Sequence, residues 1–128
     1  MKLSIRIMVP FLVQLTQEFR KVCNESYLEI NSANEVKYPY LTFSYSSEQL
    51  ENTREGFYID VDIFDNCGAD TLRLEQLTDD IRQHFLKSRI LTDKVLLQFK
   101  VSNRRMIPTT NKQLKRRWIQ IYCKTDWR

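Results

Sequence analysis

Three aspartates within six residues, Asp60, Asp62 and Asp65, form the densest group of ligand-type side chains in the chain. They lie in FYIDVDIFD, residues 57–65. In an extended segment, residues two apart share a face, so Asp60 and Asp62 stand together. Such a carboxylate pair can hold a hard divalent cation such as magnesium. No Lys, His or further acid stands at motif spacing beside them, and the bland reading is a solvated or intersubunit face. His84 is the only histidine, so any Ser-His-Asp or Cys-His site would have to use it. No Ser or Cys has the matching motif, and His84 reads as a surface or core-edge residue. Two glycines, Gly56 and Gly68, are too few for a glycine-rich phosphate loop. Cys23, Cys67 and Cys123 are far apart and include no CxxC pair, which argues against a zinc site or a disulfide framework. Reduced thiols of a cytoplasmic protein fit this pattern. The expectation is no catalytic residue, no metal site, no cofactor and no enzymatic activity.

A second group is basic. Arg104, Arg105, Lys112, Lys115, Arg116 and Arg117 flank a polar stretch, SNRRMIPTTNKQ, with Trp118 and Tyr122 close behind. Cations beside aromatic rings can grip single-stranded nucleic acid through charge and stacking. The same residues can also guard an edge strand against aggregation. A third reading comes from the distribution of charge. Residues 1–93 hold 10 Lys/Arg and 15 Asp/Glu, a balance of −5, whereas residues 94–128 hold 10 Lys/Arg and one acid, a balance of +9. A basic patch on one copy can meet an acidic patch on the next, and head-to-tail contact between unlike patches builds a ring if the rotation closes. We favour the ring, because a dedicated DNA binder needs a basic contact face and most of this chain is acidic. The candidate subunit or partner surface is therefore Asp60, Asp62, Arg104, Arg105, Lys112, Lys115, Arg116 and Arg117.

The elements that must carry these residues follow from periodicity. Phe57, Ile59, Val61 and Ile63 alternate with Tyr58, Asp60, Asp62 and Phe64, as in a half-buried strand. A turn at Asp65–Gly68 leads to a helix at about 70–87, capped by Asp70 or Thr71. Its apolar stripe is Leu74, Leu77, Ile81 and Phe85. Residues 3–9 read two ways: as a short alternating strand, or as the start of a helix whose four-residue spacing runs from Leu3 to Phe19 through Pro10. An interior proline costs about 3 kcal/mol, so a helix starting near Pro10 and stopping near Asn24 is the safer expectation. Tyr27–Ile30 reads as a brief strand and 32–37 as a loop. YLTFSY (40–45) reads as a strand, and the Tyr38–Pro39 bond before it is a candidate for cis. Residues 46–55 read as an exposed polar connection, 88–93 as a connector, 94–101 as a strand, 102–113 as a loop, and 114–124 as the last strand. One domain over 1–128 is expected. Its class is α+β, a mainly antiparallel sheet with the N-terminal and central helices on one face. No apolar run reaches the ~20 residues of a membrane span, so no membrane partner is expected. A signal peptide is not expected either.

The segments FYIDVDIFDNCGADTLRLEQLTDDIRQHF, YPYLTFSY and IPTTNKQLKRRWIQIYCK, covering about 38–124, resemble small tail terminator proteins of long-tailed bacteriophages and prophages. These proteins are also called tail completion or head–tail joining proteins. The shared pattern is strand, acidic turn, helix, and a proline-containing loop leading into a basic final strand. The resemblance implies an α+β fold with a sheet flanked by helices, and it favours a continuous or kinked N-terminal helix. It further implies a hexameric ring of identical copies that caps the tail tube, stops its polymerisation and meets the head connector protein. The location would be the virion neck, after assembly in the host cytoplasm. Nucleic acid would be met only as the passing genome. No catalytic or cofactor-binding residues are implied.

Overall fold

The structure is a computed structural model that describes residues 2–91 and 95–127. Eight elements follow one another: α1 (Lys2–Arg20), β1 (Ser26–Leu28), β2 (Tyr40–Glu51), β3 (Arg54–Asn66), α2 (Leu72–Lys87), β4 (Arg89–Leu91), β5 (Val95–Ile107) and β6 (Leu114–Trp127). The strands form one sheet in the order β1-β2-β3-β6-β5-β4. All pairs are antiparallel except β1 with β2, giving the expected α+β class with a mainly antiparallel sheet.

The two-residue alternation of β3 builds the core. Phe57, Ile59, Val61 and Ile63 are fully buried. The register sets Phe57 opposite Cys123 and Ile59 opposite Ile121, and sets Phe43 of β2 opposite Val61 and Phe99 of β5 opposite Cys123. These residues therefore share one side of the sheet. Rings from both helices meet them there. Phe11 lies 4.7 Å from Phe57 and Phe19 lies 4.7 Å from both Phe43 and Phe85, with Phe85 5.1 Å from Phe99 (all centroid distances). The expected stripe of α2, Leu74, Leu77, Ile81 and Phe85, is buried, together with Thr78. At its start, Thr71 occupies the cap position without a side-chain bond, and the Asp70 carboxylate instead accepts the Leu72 N–H at 3.3 Å. Gly68 adopts φ +60 in the preceding turn, a conformation that costs other residues a Cβ clash, and its N–H donates to the Gln113 carbonyl at 2.9 Å.

Several expectations are corrected. α1 runs unbroken from Lys2 through Pro10 and ends at Arg20, so residues 3–9 are helix, not strand. The four-residue spacing continues on both sides of the proline, and Phe11, Leu15 and Phe19 are all buried. Pro10 is exposed on the helix surface. Residues 46–55 are no loose connection but a long hairpin, with β2 reaching Glu51 and β3 starting at Arg54. The stretch 102–113 is strand as far as Ile107, and the connector 88–93 contains β4. The expected start of β5 at Lys94 lies outside the described residues. The Tyr38–Pro39 bond is cis.

Phe19 touches both the sheet and α2, so its loss opens a cavity where three elements meet. Phe19→Ala is expected to lower unfolding free energy by roughly 3–5 kcal/mol. Urea denaturation followed by circular dichroism measures this; a loss below about 1 kcal/mol would contradict the ring packing described.

Candidate partner surface

The side of the sheet away from these helix rings carries the other half of each alternation. β3 presents Tyr58, Asp60, Asp62 and Phe64, and β6 presents Arg116, Trp118, Gln120 and Tyr122 beside them. Cross-strand partners bind both acids. The Arg116 Nε and Nη2 groups donate to Asp62 Oδ1 at 2.9 and 2.7 Å. The Trp118 indole N–H donates to Asp60 Oδ1 at 3.1 Å, and the Gln120 amide reaches the same oxygen at 3.3 Å. Aromatic rings fill the spaces between. Tyr40 stacks on Phe64 at 5.0 Å, and Tyr58 meets Tyr122 at 4.9 Å. Three cations lie over rings: Arg105 over Trp118 at 4.7 Å, Lys100 over Tyr122 at 5.2 Å, and Arg116 over Phe64 at 5.6 Å. Gly56 makes room for this arrangement, since a Cβ there would stand 2.1 Å from the Tyr122 hydroxyl oxygen.

Asp60 and Asp62 thus share a face, as expected, but their carboxylates already hold arginine, indole and amide donors. Among the described residues no three His, Cys, Asp or Glu side chains cluster as metal ligands would. Asp65 points to the opposite side, is fully buried, and is clasped by Arg73 from α2, whose Nε donates at 2.9 Å and whose Nη2 donates to the other oxygen. It anchors the turn between β3 and α2.

The six cations do not form one patch. Arg104 and Arg105 stand in β5 rather than in a loop, and a register irregularity between Val101 and Asn103 resets the alternation there. Arg105 and Arg116 lie on the open face. Arg104 approaches Asp79 of α2 at 3.7 Å, and the buried Arg117 donates to Glu75 of α2. Arg104, Arg105 and Arg117 converge only at a cleft of about 190 Å³ beside Glu75 and Trp118. Lys112 is exposed in the β5–β6 connection, and Lys115 is half-buried opposite Asp65. Tyr58, Phe64, Lys100 and Gln120, absent from the expected surface, belong to it, and their place in the alternating pattern is the signal that marks them.

His84 serves structure. Its Nε2 lies 3.0 Å from Oε1 of Glu18, joining α2 to α1. The other Glu18 oxygen accepts from Lys21 at 2.8 Å and from Gln14 at 3.1 Å. Cys23, Cys67 and Cys123 are free thiols. Burial pushes Cys23 and Cys123 above the usual thiol range, which keeps them protonated and unreactive.

No family model matches this chain, and no curated protein does. Solved structures do. A chain of the virion of a native gene transfer agent particle superposes with a TM-score of 0.65 at 5% sequence identity, over 84% of this chain and 84% of its own. A second solved chain, without a descriptive name, superposes with a TM-score of 0.65 at 10% identity, over 95% of this chain and 93% of its own. At these identities the likeness is one of fold.

The Glu18 clamp carries a pH signature. Burial pushes its carboxyl upward, but hydrogen bonds and charge from Lys21 and His84 outweigh burial and hold it below its ordinary 4.5. A carboxyl lowered in the folded state stabilises fully above its unfolded value, and that contribution fades as pH falls through the folded value. Glu18→Gln is expected to cost roughly 1–2 kcal/mol near neutrality, since Lys21 is exposed and its share is screened. The gap to the native chain should then narrow below pH 4.5. Urea midpoints of both chains from pH 7 to 3 check this; a gap that stays constant would show that ionised Glu18 does not contribute.

Proposed function

We propose that this chain is a structural protein of a phage-type virion, a tail terminator that works by contact and not by catalysis. The fold it shares with a chain of a gene transfer agent virion, over 84% of both chains, carries this reading. The resemblance of residues 38–124 to terminator proteins supplies the specific role. In this role, identical copies close into a hexameric ring in the neck. The ring covers the end of the tail tube, stops addition of tube subunits and offers its other side to the head connector. Nucleic acid meets the ring only as genome passing through.

The surface chemistry supports a contact role. Hydrogen bonds and ring contacts hold the open sheet face in place before any partner arrives, and such preorganisation lowers the ordering cost of association. Asp60, Asp62, Arg105 and Arg116 lie on that face, whereas Arg104, Arg117 and Lys115 belong to the helix side of the sheet and Lys112 to the β5–β6 connection. With five of these cations divided between two sides of the sheet and Lys112 in a connection, they do not line up as one basic strip for nucleic acid.

Native mass measurement over a concentration series is expected to show a hexamer that dissociates on dilution, and negative-stain images should show rings. Exposed charge pairs are screened within ~10 Å at 0.1 M salt, so the assembled fraction should fall as salt rises. Assembly indifferent to salt would assign the contact to apolar and backbone groups. A strict monomer at every concentration, with tube protein present, would overturn the terminator reading.

A further inference from the structure

Two long strand edges are left open, and they complement each other. β1 pairs with β2 only over Leu41–Phe43, so among the described residues no strand pairs with the outer edge of residues 44–48. The backbone bonds show which peptide groups face outward. Leu41 N–H donates to Glu25, and the Phe43 carbonyl accepts from Glu29 N–H, both on the side away from β3. Peptide groups alternate along a strand, so Tyr45 and Ser47 also turn their N–H and C=O to the open edge. At the far side of the sheet, β4 pairs with β5 only over Leu96–Gln98, leaving residues 99–107 with an open outer edge. Neither stretch contains proline, the β2 stretch has no lysine, and its register stays regular from Ser44 to Gln49, whereas the β5 stretch carries Lys100 and an irregularity between Val101 and Asn103.

We infer that these two edges pair between copies, with residues 44–48 of one subunit hydrogen-bonding to residues 99–107 of the next, so that the sheet continues across the subunit boundary. The inference rests on the reading that the chain assembles with itself. Charge selects the occupant. Residues 44–48 carry an acid, Glu48, and no base, whereas residues 99–107 carry Lys100, Arg104 and Arg105 and no acid. Pairing either edge with its own kind would set like charges across the ladder, whereas pairing unlike edges sets opposite charges across it. Unlike edges make a head-to-tail contact, the kind that closes into rings. The arginines do not block the approach: Arg105 lies over the Trp118 ring and Arg104 leans toward Asp79.

Direction and stagger agree with closure. Three antiparallel steps separate β2 from β5, so the new pair is antiparallel when neighbouring sheets keep the same orientation. The register sets Tyr45 level with Ile59, Ile121 and Val101, so the open part of β2 and the far end of β5 lie toward opposite ends of the sheet. Joining them shifts each subunit along the strands relative to the last. Closing a sheet into a barrel requires such a shear.

Hydrogen exchange of the native chain, dilute against concentrated, tests the pairing. Protection of Tyr45, Ser47 and residues 99–107 should rise with assembly and fall on dilution. Ser47→Pro removes only an outward N–H, which an edge strand tolerates, so its circular dichroism spectrum should match the native chain. Its half-assembly concentration should rise by at least about tenfold. An assembled ring whose two edges exchange as fast as in the monomer would overturn edge pairing while leaving the ring intact. Protection that appears only when tube protein is added would assign the edges to that partner and overturn the self-pairing. A strict monomer would overturn both this pairing and the assembly reading.

Discussion

The pairing of β3 with β6 is the constraint on which the molecule depends. The two strands run antiparallel over the whole of β3, from Arg54 opposite Asp126 to Asn66 opposite Leu114. Because side chains alternate strictly, this one register decides which groups meet the helices and which face outward. A slip of one residue would carry Val61 and Ile63 out of the core and bring Asp60 and Asp62 into it. Contacts on both faces oppose that slip. On the core side, Thr125 donates to the Glu55 carbonyl at 2.9 Å beneath a layer of isoleucine, valine and phenylalanine. On the open side, Arg116 holds Asp62 and Trp118 holds Asp60. The polar contacts of the open face thus also serve as register marks for the apolar core.

The uneven distribution of charge along the chain acquires a second meaning in three dimensions. Arg116 with Asp62, Arg117 with Glu75 and Arg104 with Asp79 each join the basic last third to the acidic remainder, and Arg54 with Asp126 joins them with the signs reversed. Much of the asymmetry is therefore satisfied within one molecule. Most of these pairs are partly exposed, and each adds little on its own. Their effect is on specificity: in this register β6 meets acids from both β3 and α2. Lys112 and Lys115 have no ion-pair partner among the described residues, so they are better placed than Arg116 or Arg117 to meet a neighbouring molecule.

How far the fold could be read from the chain depended on whether a segment has one dry face. β3, α2 and β6 each pair a buried stripe with a wet one, and their patterns gave their types and nearly their limits. The ends of β2 and β5 lack that contrast. Ser46–Leu50 and Ser102–Met106 are exposed, so neither carries apolar alternation, and their composition resembles a loop. They are strands because a longer neighbour extends them. β4 is too short to show any period. The proline in α1 misled for a different reason: a local cost of about 3 kcal/mol was weighed without the packing of Phe11, Leu15 and Phe19 that opposes it. The candidate surface was legible in part. The common face of Asp60 and Asp62 follows from spacing alone. Their attachment to Arg116 and Trp118 depends on contacts more than 50 residues away in sequence, which periodicity does not reveal.

The same distinction separates the surfaces by what each can give to a partner. On the core side, rings of α1 and α2 cover Phe43, Phe57 and Phe99. The open face is rich in rings and charges, and bonds from Arg116, Trp118 and Gln120 to Oδ1 of Asp62 and Asp60 hold its side chains in place, so a partner placed there meets a preformed shape. The outer edges of β2 and β5 differ because, among the described residues, no strand pairs with the backbone groups of Tyr45, Ser47 and residues 99–107 on that side. Water is easily exchanged for another strand, and the gain per bond is small, about 1 kcal/mol, but the bonds form together and only in register. An assembly built on such edges draws its geometry from the ladder and its selectivity from the opposite charges beside it. The preformed open face would then remain free for a different molecule, which is the arrangement a ring needs if it is to bind its own copies and a tube at the same time.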